Sequence, residues 1–567
     1  MDLTVEHSRS RTLGYLALTY PLTERLGLIG ILNKHCGLAP QAENDNGVVL
    51  AALAQARLAP SPVPLYRMMD WAEEYAVTEL YGRPASAFND DACGRALDAL
   101  YPVLPQVWVE LLQAVRSEFG LDLSVIHTDV TLIQVEGQYD GPETPLGAAR
   151  EPAQPCYGRT PKGYDPRRKQ LGLSMSVTPQ DIPVWWLAHD GNVSDPQVYQ
   201  QHLYAMRTFL GQVHPIMVGD SKLVTEGNRL AFNRAGAFYV GPATLRTEDE
   251  DVLETLWRSG TPCERLAFSG DKPGSSTRFW GLNLDQQIND PEESDRVYLH
   301  RTVFVFSPDE RRTVRHARAK ALWKAHAALL HVRSHLNQRR YKNRDFIVRQ
   351  LDKRLGPGAE LIDYDLDEIK DEAGQVHFRL TWRLNRKALR RIAQFDGWYR
   401  LLTNLDKADY PMSQVLVKFK GQAHAEDAFK QLKHWPIQVS PLWLHQPKRI
   451  EALLGLTAIA LLLTAVLAHL LQEAVAKEPS PPTGLQAEGR DHLPVTARRM
   501  WQIMAGLSLM VILLRAPDGN LWRLTTADTP TLAQETIFRL LGWPRPQEYL
   551  PVGLHSNTTL ETCGKTA

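Results

Sequence analysis

The sequence predicts a mixed α/β protein with several domains, and three observations lead to this prediction. The 567 residues are too many for one ordinary domain and indicate two to four. Hydrophobic residues make up 44% of the chain and charged residues 23%, which is typical of a globular protein. Short apolar, β-branched runs alternate with helical patterns over residues 121–242, and such alternation favours a sheet covered by helices.

Residues 1–120 are predicted to form an all-helical N-terminal domain. Apolar residues recur at helical spacing in Leu26–Gly37, Gly47–Pro60 and Leu65–Gly82, and Gly and Pro residues interrupt the pattern. Asn89 precedes another long helical pattern, which reaches Phe119, and is therefore the expected N-cap.

Residues 121–242 are predicted to form a mixed sheet. β-branched and apolar residues predict strands over Leu123–Val135, Lys169–Val177 and Ile182–Ala188. Residues 178–181 are typical of a turn, so the second and third strands are expected to form a hairpin. The pattern then predicts helix, strand, helix and strand over Asp195–Leu210, Ile216–Val218, Leu223–Ala235 and Ala237–Val240.

Residues 243–395 interrupt the sheet and contain a strongly basic helical stretch, Arg311–Arg354. This stretch has 14 Lys and Arg residues against two Asp residues, a net charge of +12, although the whole chain has 64 basic and 64 acidic residues. A surplus of this size favours contact with a nucleic-acid backbone over a merely solvated helix face. Val376–Trp382 is predicted to be a strand.

Residues 396–475 are predicted to resume the sheet with a strand, Asp396–Asn404, and a helix, Ser413–Trp435, which makes residues 243–395 an inserted domain. Ala452–Leu471 contains no Asp, Glu, Lys or Arg and is long enough to cross a bilayer. We favour a fully buried core helix, because the segment contains His469 and no other apolar segment is comparably long. A second apolar helix is expected at Ile503–Leu514, so residues 476–567 are predicted to be a helical C-terminal region.

The five cysteines are scattered, odd in number and never spaced Cys-x-x-Cys. This pattern argues against a disulfide framework and a zinc site, and it fits a reducing compartment. The N-terminal residues lack the long apolar segment of a secretory signal. We therefore expect a cytoplasmic protein that does not enter a membrane.

Three acidic residues stand out by their context. Asp129 lies within an apolar strand, where a charge needs a partner or a metal ion. Asp220 follows a strand end, where the functional side chains of α/β sheets gather. Glu426 lies in the middle of the predicted helix Ser413–Trp435. Three carboxylates that meet at one edge of a sheet are able to hold two Mg²⁺ ions, which clamp the attacking and leaving oxygens of a phosphoryl transfer.

Several motifs give the chain a resemblance to insertion-sequence transposases of the DDE superfamily, which have an RNase H-like core. It resembles the branch with a Tyr-x2-Arg-x3-Glu-x6-Lys signature helix and a long insertion before the final Glu. The segments that carry the resemblance span most of the chain and are Pro64–Tyr66, Asn89–Asp91, Gly94–Leu100, His127–Thr131, Tyr157–Asp165, Lys169–Leu173, Asp190–Asp195, Val218–Ser221, Asp396–Gly397 and Leu402–Asn404.

The resemblance implies that Asp129, Asp220 and Glu426 are the catalytic triad and hold two Mg²⁺ ions, for which Mn²⁺ substitutes. The long interval between Asp220 and Glu426 agrees with an insertion there. The signature helix departs from the pattern, because Phe419 replaces Tyr and Gln422 replaces Arg. These departures leave open a degenerate protein that binds DNA without cutting it.

The implied partners are double-stranded DNA, as terminal inverted repeats and target, and a second copy of the chain in a homodimer. The implied location is the bacterial cytoplasm, at the nucleoid. The helical domain 1–120 fits a DNA-reading head and an oligomerisation scaffold equally well. The expected DNA-binding residues are Lys433, Lys430 and Gln422 of the signature helix, Lys162, Arg167 and Arg168 of a basic turn, and Arg339, Arg340, Lys342 and Arg344 of the insertion.

Overall fold

The structure is a computed structural model. It describes residues 3–556 except residues 38–44, 138, 140–150, 160–163, 194, 211–213, 269–277, 294, 371, 373, 423–429, 431–443 and 487–493. Contacts between residues divide the chain into two compact units, unit 1 (residues 1–238 and 420–567) and unit 2 (residues 239–419). The five domain ranges expected from the sequence remain a prediction beside this division.

Helices occur in both units. Those of unit 1 are α1 (Leu16–Arg25), α2 (Leu28–Cys36), α3 (Asn46–Ala56), α4 (Met68–Glu74), α5 (Val77–Tyr81), α6 (Asp90–Leu100), α7 (Leu104–Phe119), α8 (Asp195–Leu210), α9 (Glu226–Arg234), α15 (Pro447–Lys477), α16 (Ala497–Met504), α17 (Leu532–Leu541) and α18 (Pro546–Tyr549). Those of unit 2 are α10 (Thr247–Arg258), α11 (Pro308–His335), α12 (Arg344–Leu355), α13 (Arg386–Gln394) and α14 (Met412–Lys420).

Strands also occur in both units. Those of unit 1 are β1 (Thr4–Thr12), β2 (Val125–Gln134), β3 (Gln170–Val177), β4 (Pro183–Asp190), β5 (Ile216–Val218), β13 (Ser508–Arg515), β14 (Leu521–Ala527) and β15 (Gly553–Ser556). Those of unit 2 are β6 (Phe238–Ala243), β7 (Glu264–Leu266), β8 (Phe279–Asn289), β9 (Val297–Phe306), β10 (Ile362–Lys370), β11 (Val376–Leu384) and β12 (Trp398–Thr403).

The main sheet of unit 1 has the strand order β4-β3-β2-β5. β3 pairs antiparallel with both β2 and β4, whereas β2 pairs parallel with β5, so the predicted mixed sheet is confirmed. The predicted hairpin turn is confirmed as well, and Asp181 adopts the left-handed conformation there, with φ of 63°. Every residue of β3 is buried. This burial requires cover on both faces of the sheet, because neighbouring side chains of a strand point to opposite faces.

The predicted core helix Ala452–Leu471 lies within α15. Among the described residues, α15 is the helix long and apolar enough to cross a bilayer, and its most apolar window is entirely buried inside the protein. It packs against β4, α3 and α6. A Cβ on Gly455 would lie 2.6 Å from Leu104 and 2.9 Å from Trp186, so only glycine allows this close approach. The prediction of a buried helix is therefore confirmed, and its apolar composition follows from packing on every side.

The prediction of all-helical N- and C-terminal regions is wrong in part, because the two termini share a sheet. This sheet has the order β1-β13-β14-β15, and β1 pairs antiparallel with β13. β1 is polar and mostly exposed, so its residues carry no apolar alternation that would mark a strand. The apolar run predicted as a helix at Ile503–Leu514 ends α16 and then forms most of β13. A short apolar run does not by its periodicity distinguish a strand from a helix.

Unit 2 has the strand order β6-β12-β9-β8-β7, together with the hairpin β10–β11. The predicted basic stretch Arg311–Arg354 is helical and divides into α11 and α12 at a short turn, Arg339–Lys342. The strand predicted at Val376–Trp382 is confirmed as β11. Its partner β10 contains four acidic residues, a composition that is unusual in strands and gives no strand signal. α11, α12 and the hairpin enclose a core of Ala325, Leu329, Val332, Ile347, Leu351, Phe378 and Leu380.

The Asp396-Gly397 motif of unit 2 has a packing role. The side chain of Asp396 is 1% exposed and pairs with Arg315 at 3.3 Å and with Arg318. Gly397 has φ of 87°, and a Cβ there would lie 2.7 Å from the Ser307 carbonyl oxygen. The motif therefore ties the start of β12 to α11.

A buried ion pair holds the terminal sheet of unit 1 against its helices. The side chain of Glu79 is 1% exposed and pairs with Arg11 at 3.2 Å and with Arg523. Arg11 lies on β1, Arg523 on β14 and Glu79 on α5, so three segments meet at one carboxylate.

We expect Glu79→Gln to lower the free energy of unfolding by about 3–5 kcal/mol, because it leaves two largely buried arginines without their counter-charge. Urea unfolding followed by tryptophan fluorescence measures this loss. The matched control is Glu73→Gln, which breaks the exposed 3.1 Å pair with Arg9 and should cost less than about 1 kcal/mol. Equal losses for both variants would contradict the role assigned to Glu79.

Candidate functional site

Asp129 and Asp220 lie beside each other on neighbouring strands. β2 and β5 run parallel, and their last aligned pair is His127 with Val218. Asp129 lies two residues after His127, and Asp220 lies two residues after Val218. Both aspartates therefore reach the same edge of the sheet at the same level. The sequence predicted Asp129 within a strand and Asp220 after the end of a strand. The parallel register of the two strands brings these aspartates together.

Hydrogen bonds orient both carboxylates. The Asp129 Oδ1 atom accepts a 2.8 Å bond from the backbone N–H of Val130. The Asp220 Oδ1 atom accepts bonds of 2.9 Å from the backbone N–H of Lys222 and from the Tyr199 hydroxyl. Both aspartates are half-buried, and these bonds restrict the rotation of each carboxylate.

Tyr199 is a residue of the site that the sequence analysis missed. It lies on α8 and is 1% exposed. Burial and the nearby charges of Asp220 and Asp129 raise the pKa of Tyr199 well above its usual value, so the phenol stays neutral. A tyrosine within a predicted helix gives no local signal of a contact with a strand that begins 17 residues later.

Gln422, the departure from the signature arginine, contacts the same strand. Its Nε2 atom donates a 3.1 Å hydrogen bond to the carbonyl oxygen of Thr128, the residue before Asp129. The chain after α14 therefore approaches the Asp129 strand. The prediction of one continuous helix over Ser413–Trp435 is wrong in part, because α14 ends at Lys420 and Gln422 lies in the turn that follows. An amide makes this bond without the charge of an arginine. The other departure, Phe419, lies in unit 2 with its ring 6.3 Å from that of Tyr399.

Glu426, Lys433 and Lys162 lie outside the described residues. Lys430 is described and exposed. Within the described part of the chain, no group of three or more His, Cys, Asp or Glu side chains is arranged to hold a metal ion. Asp129 and Asp220 supply two carboxylates, which are the hard oxygen ligands that Mg²⁺ prefers. The observed pair fits two of the three predicted ligands.

A buried chain of hydrogen bonds joins α8 to the sheet beneath it. His202 bonds Ser176 through Nδ1 at 2.8 Å and Ser174 through Nε2 at 2.7 Å. Ser176 continues to the Thr128 hydroxyl at 2.7 Å, and Ser174 continues to His189 at 2.5 Å. These hydrogen bonds give partners to polar side chains that would otherwise be buried without them. They also fix α8, which carries Tyr199, relative to β2 and β3.

His202 and His189, the two histidines of this hydrogen-bond series, are held neutral. Burial lowers the pKa of His202 well below its usual value, and the neighbouring His189 lowers it further. Burial lowers the pKa of His189 to about 4, against an opposing effect of Asp190. A neutral imidazole has one donor and one acceptor nitrogen, which suits a bridge between two hydroxyl groups.

The expected DNA-binding arginines fall into two groups. Arg167 bonds Asp165 through two nitrogens, at 3.0 and 2.9 Å, and lowers the pKa of that carboxyl to about 2. Arg168 pairs with Glu136 at 2.5 Å. Nearby carboxylates therefore offset the charge of this first group.

The second group lies on the turn between α11 and α12 and at the first residue of α12, in unit 2. Arg339, Arg340, Lys342 and Arg344 are all exposed, although Arg344 also pairs with Glu368 at 3.5 Å. Asn337 anchors the turn to β11, because its side chain donates to the Phe378 carbonyl at 3.0 Å and accepts from the Phe378 N–H at 2.7 Å. A rigidly held, exposed cluster of cations is a surface suited to phosphate groups.

Comparisons with known proteins give weak similarities. A family profile described as Domain of unknown function (DUF4277) matches residues 8–111. The piggyBac transposase synaptic complex with hairpin DNA is similar at 8% identity, over 88% of this chain and 83% of that chain, with a TM-score of 0.34. The Mos1 transposase paired-end complex with left transposon end is similar at 11% identity, over 39% of this chain and 66% of that chain, with a TM-score of 0.14. No curated protein matches the chain.

The neutral histidines predict a pH dependence of stability. The unfolded chain binds protons at a histidine pKa of about 6.5, whereas folded His189 does so only near pH 4 and His202 well below 6.5. The stabilisation is therefore complete above pH 6.5 and declines as the pH falls toward 4.

We expect His202→Gln to reduce the slope of unfolding free energy against pH in this window by up to about 1.4 kcal/mol per pH unit, the value for one proton. Urea unfolding between pH 5 and pH 7 gives this slope. His7→Gln replaces an exposed histidine of β1 and should leave the slope unchanged. A His202→Gln slope equal to that of the wild type would rule out this origin of the pH dependence.

Proposed function

We propose that the protein is a DNA transposase that cleaves and transfers DNA strands at the inverted-repeat ends of an insertion sequence. The observation that carries the proposal is the pairing of Asp129 with Asp220 at one edge of a mixed sheet, beside the segment of the signature helix. The Gln422 bond to Thr128 supports the proposal, because it brings the segment that precedes Glu426 in the sequence to the Asp129 strand. Glu426 follows Gln422 by four residues in the sequence and completes the proposed triad.

The proposed cofactor is Mg²⁺, as two ions for which Mn²⁺ substitutes. Asp129, Asp220 and Glu426 would hold it, and the bound metal would activate the attacking oxygen and stabilise the leaving oxygen of a phosphodiester. The chain itself orients the two described carboxylates through Val130, Lys222 and Tyr199. Neutral His202 joins α8 to Ser174 and Ser176 of the sheet.

We further infer an RNase H-like fold for the sheet of unit 1. The strand with the first aspartate lies between an antiparallel hairpin and a parallel strand that leads to the second aspartate. Unit 2 fits the insertion that the resemblance places between the second aspartate and the final glutamate, since it comprises residues 239–419.

The proposed partner is double-stranded DNA, both the inverted repeats and the target, bound by a homodimer at the nucleoid of a bacterial cell. Two ends must be processed together, which is the reason for a dimer. The turn between α11 and α12 supplies exposed cations that suit backbone contacts. Residues 1–120 would act as a DNA-reading head or as a scaffold.

A catalytically degenerate DNA-binding protein is the second candidate. The observation that favours it is Gln422, because an amide stands where a cation would contact a DNA phosphate or brace the glutamate. Phe419 likewise lacks the hydroxyl of the signature tyrosine. The presence of Asp129, Asp220 and Glu426 in the sequence favours the active enzyme.

We expect Asp129→Asn, Asp220→Asn and Glu426→Gln each to reduce strand cleavage by about a thousandfold or more, because each removes a metal-binding carboxylate. The assay is Mg²⁺-dependent nicking of a labelled fragment that carries the flanking inverted repeat. Asp122→Asn is the control, since Asp122 is an exposed acid that caps the turn before β2. Repeat binding without cleavage by the wild type would establish the degenerate protein instead.

We expect the Arg339→Ala, Arg340→Ala double variant to make the slope of log binding constant against log salt concentration shallower by about two, one unit for each lost phosphate contact. Binding of a fluorescent duplex between 50 and 200 mM salt (about a fourfold range) gives this slope. Arg296→Ala is the matched control, because this exposed arginine of unit 2 pairs with Glu293 at 2.9 Å. An unchanged slope in the double variant would exclude the turn from the DNA contact.

A further inference from the structure

We propose that Tyr199 is the positioning residue that holds the Asp220 carboxylate in its metal-binding orientation. This inference rests on the proposed function and deepens it, because it concerns how the chain prepares a cation site. Tyr199 belongs to no motif of the resemblance, and only its contacts in the structure indicate the role.

Tyr199 contacts Asp220 at two points. Its hydroxyl donates a 2.9 Å hydrogen bond to Oδ1 of Asp220, and the backbone N–H of Asp220 donates a 3.3 Å bond to the same hydroxyl. The Lys222 N–H adds a second donor to Oδ1 at 2.9 Å. Two donors on one carboxylate oxygen restrict rotation of the group and set the direction in which its second oxygen points.

The strand end is shaped to admit the tyrosine ring. A Cβ on Gly219 would lie 2.7 Å from Cε1 of Tyr199 and 3.0 Å from its hydroxyl oxygen. Any larger residue at position 219 would have to displace the ring. The glycine that precedes Asp220 is therefore part of the same arrangement.

The helix that carries Tyr199 is fixed independently of Asp220. His202 follows Tyr199 by three residues and so projects from the same side of α8. It is fully buried and bonds Ser174 and Ser176 of β3 at 2.7 and 2.8 Å. The position of the phenol is thus set by the sheet itself, so the phenol is preorganised before a cation binds.

The chemistry of a phenol suits this task better than that of a cation. Asp129 and Asp220 are both acidic and lie at the same sheet edge, so their carboxylates repel each other and would turn apart without restraint. A lysine in place of Tyr199 would neutralise Asp220 and compete with a metal ion. A neutral hydroxyl orients the carboxylate and leaves its full negative charge for a divalent cation.

The test measures Mn²⁺ binding to the full chain by the loss of the free Mn²⁺ signal in electron paramagnetic resonance. We expect Tyr199→Phe to weaken binding about tenfold or more, the usual effect of losing a partner of a metal ligand. Tyr204→Phe is the matched control, because Tyr204 lies on the same helix and is 72% exposed. It should bind Mn²⁺ as the wild type does. Asp129→Asn shows that the measured binding belongs to this site.

Gly219→Ala provides a second, independent variant, since it displaces the ring without removing the hydroxyl. Gly219→Ala should weaken Mn²⁺ binding as Tyr199→Phe does. If Tyr199→Phe does not fold, Gly219→Ala tests the role of Tyr199 in its place. Equal Mn²⁺ affinity in the wild type and the folded variants would overturn the role of Tyr199 and leave the proposed function intact. A wild-type protein that binds no Mn²⁺ would overturn the metal-dependent function and this inference with it.

Discussion

The parallel pairing of β2 with β5 is the constraint on which the site depends. In this register Asp129 and Asp220 leave the sheet together, although 90 residues of chain separate them. Two adjacent carboxylates repel each other, and the fold offsets this repulsion with backbone N–H donors and the hydroxyl of Tyr199. A shift of one residue in the register would turn one aspartate to the opposite face of the sheet, and the two carboxylates would no longer lie beside each other.

In unit 1, helices cover both faces of the sheet that contains this strand pair. α8 covers one face of the sheet and is fastened to β3 through His202, whereas α15 packs closely enough for Gly455 to approach Trp186 on β4. Ser176 aligns with Trp185, the neighbour of Trp186, so the two helices cover opposite faces. The N-terminal helices α3 and α6 pack on α15 as well. The sheet, α15 and the region matched by the family profile are therefore parts of one compact unit.

The basic side chains of unit 2 differ in their surroundings, because some pair with a buried carboxylate and others are exposed on a turn. The buried Asp396 carboxylate pairs with Arg315 and Arg318 of the basic helix and offsets part of their charge, although Arg315 remains 53% exposed. Asn337 holds the following turn against β11, so Arg339, Arg340 and Lys342 remain outward. Carboxylates outside residues 311–354 thus offset part of the +12 surplus, and the turn places three exposed cations within four residues.

The sequence by itself determined the strands β2, β3 and β4, the helix α8 and the burial of α15, because these segments have strong periodicity or apolar length. It also determined the two aspartates as candidates, since an acid in or after an apolar strand is locally conspicuous. Only the tertiary structure decided the pairing of β1 with β13, the partners of Tyr199 and Gln422, and which arginines pair with carboxylates. These features depend on contacts between residues far apart in the chain, and a polar strand, a helical tyrosine and a paired arginine carry no local pattern that reveals their partners.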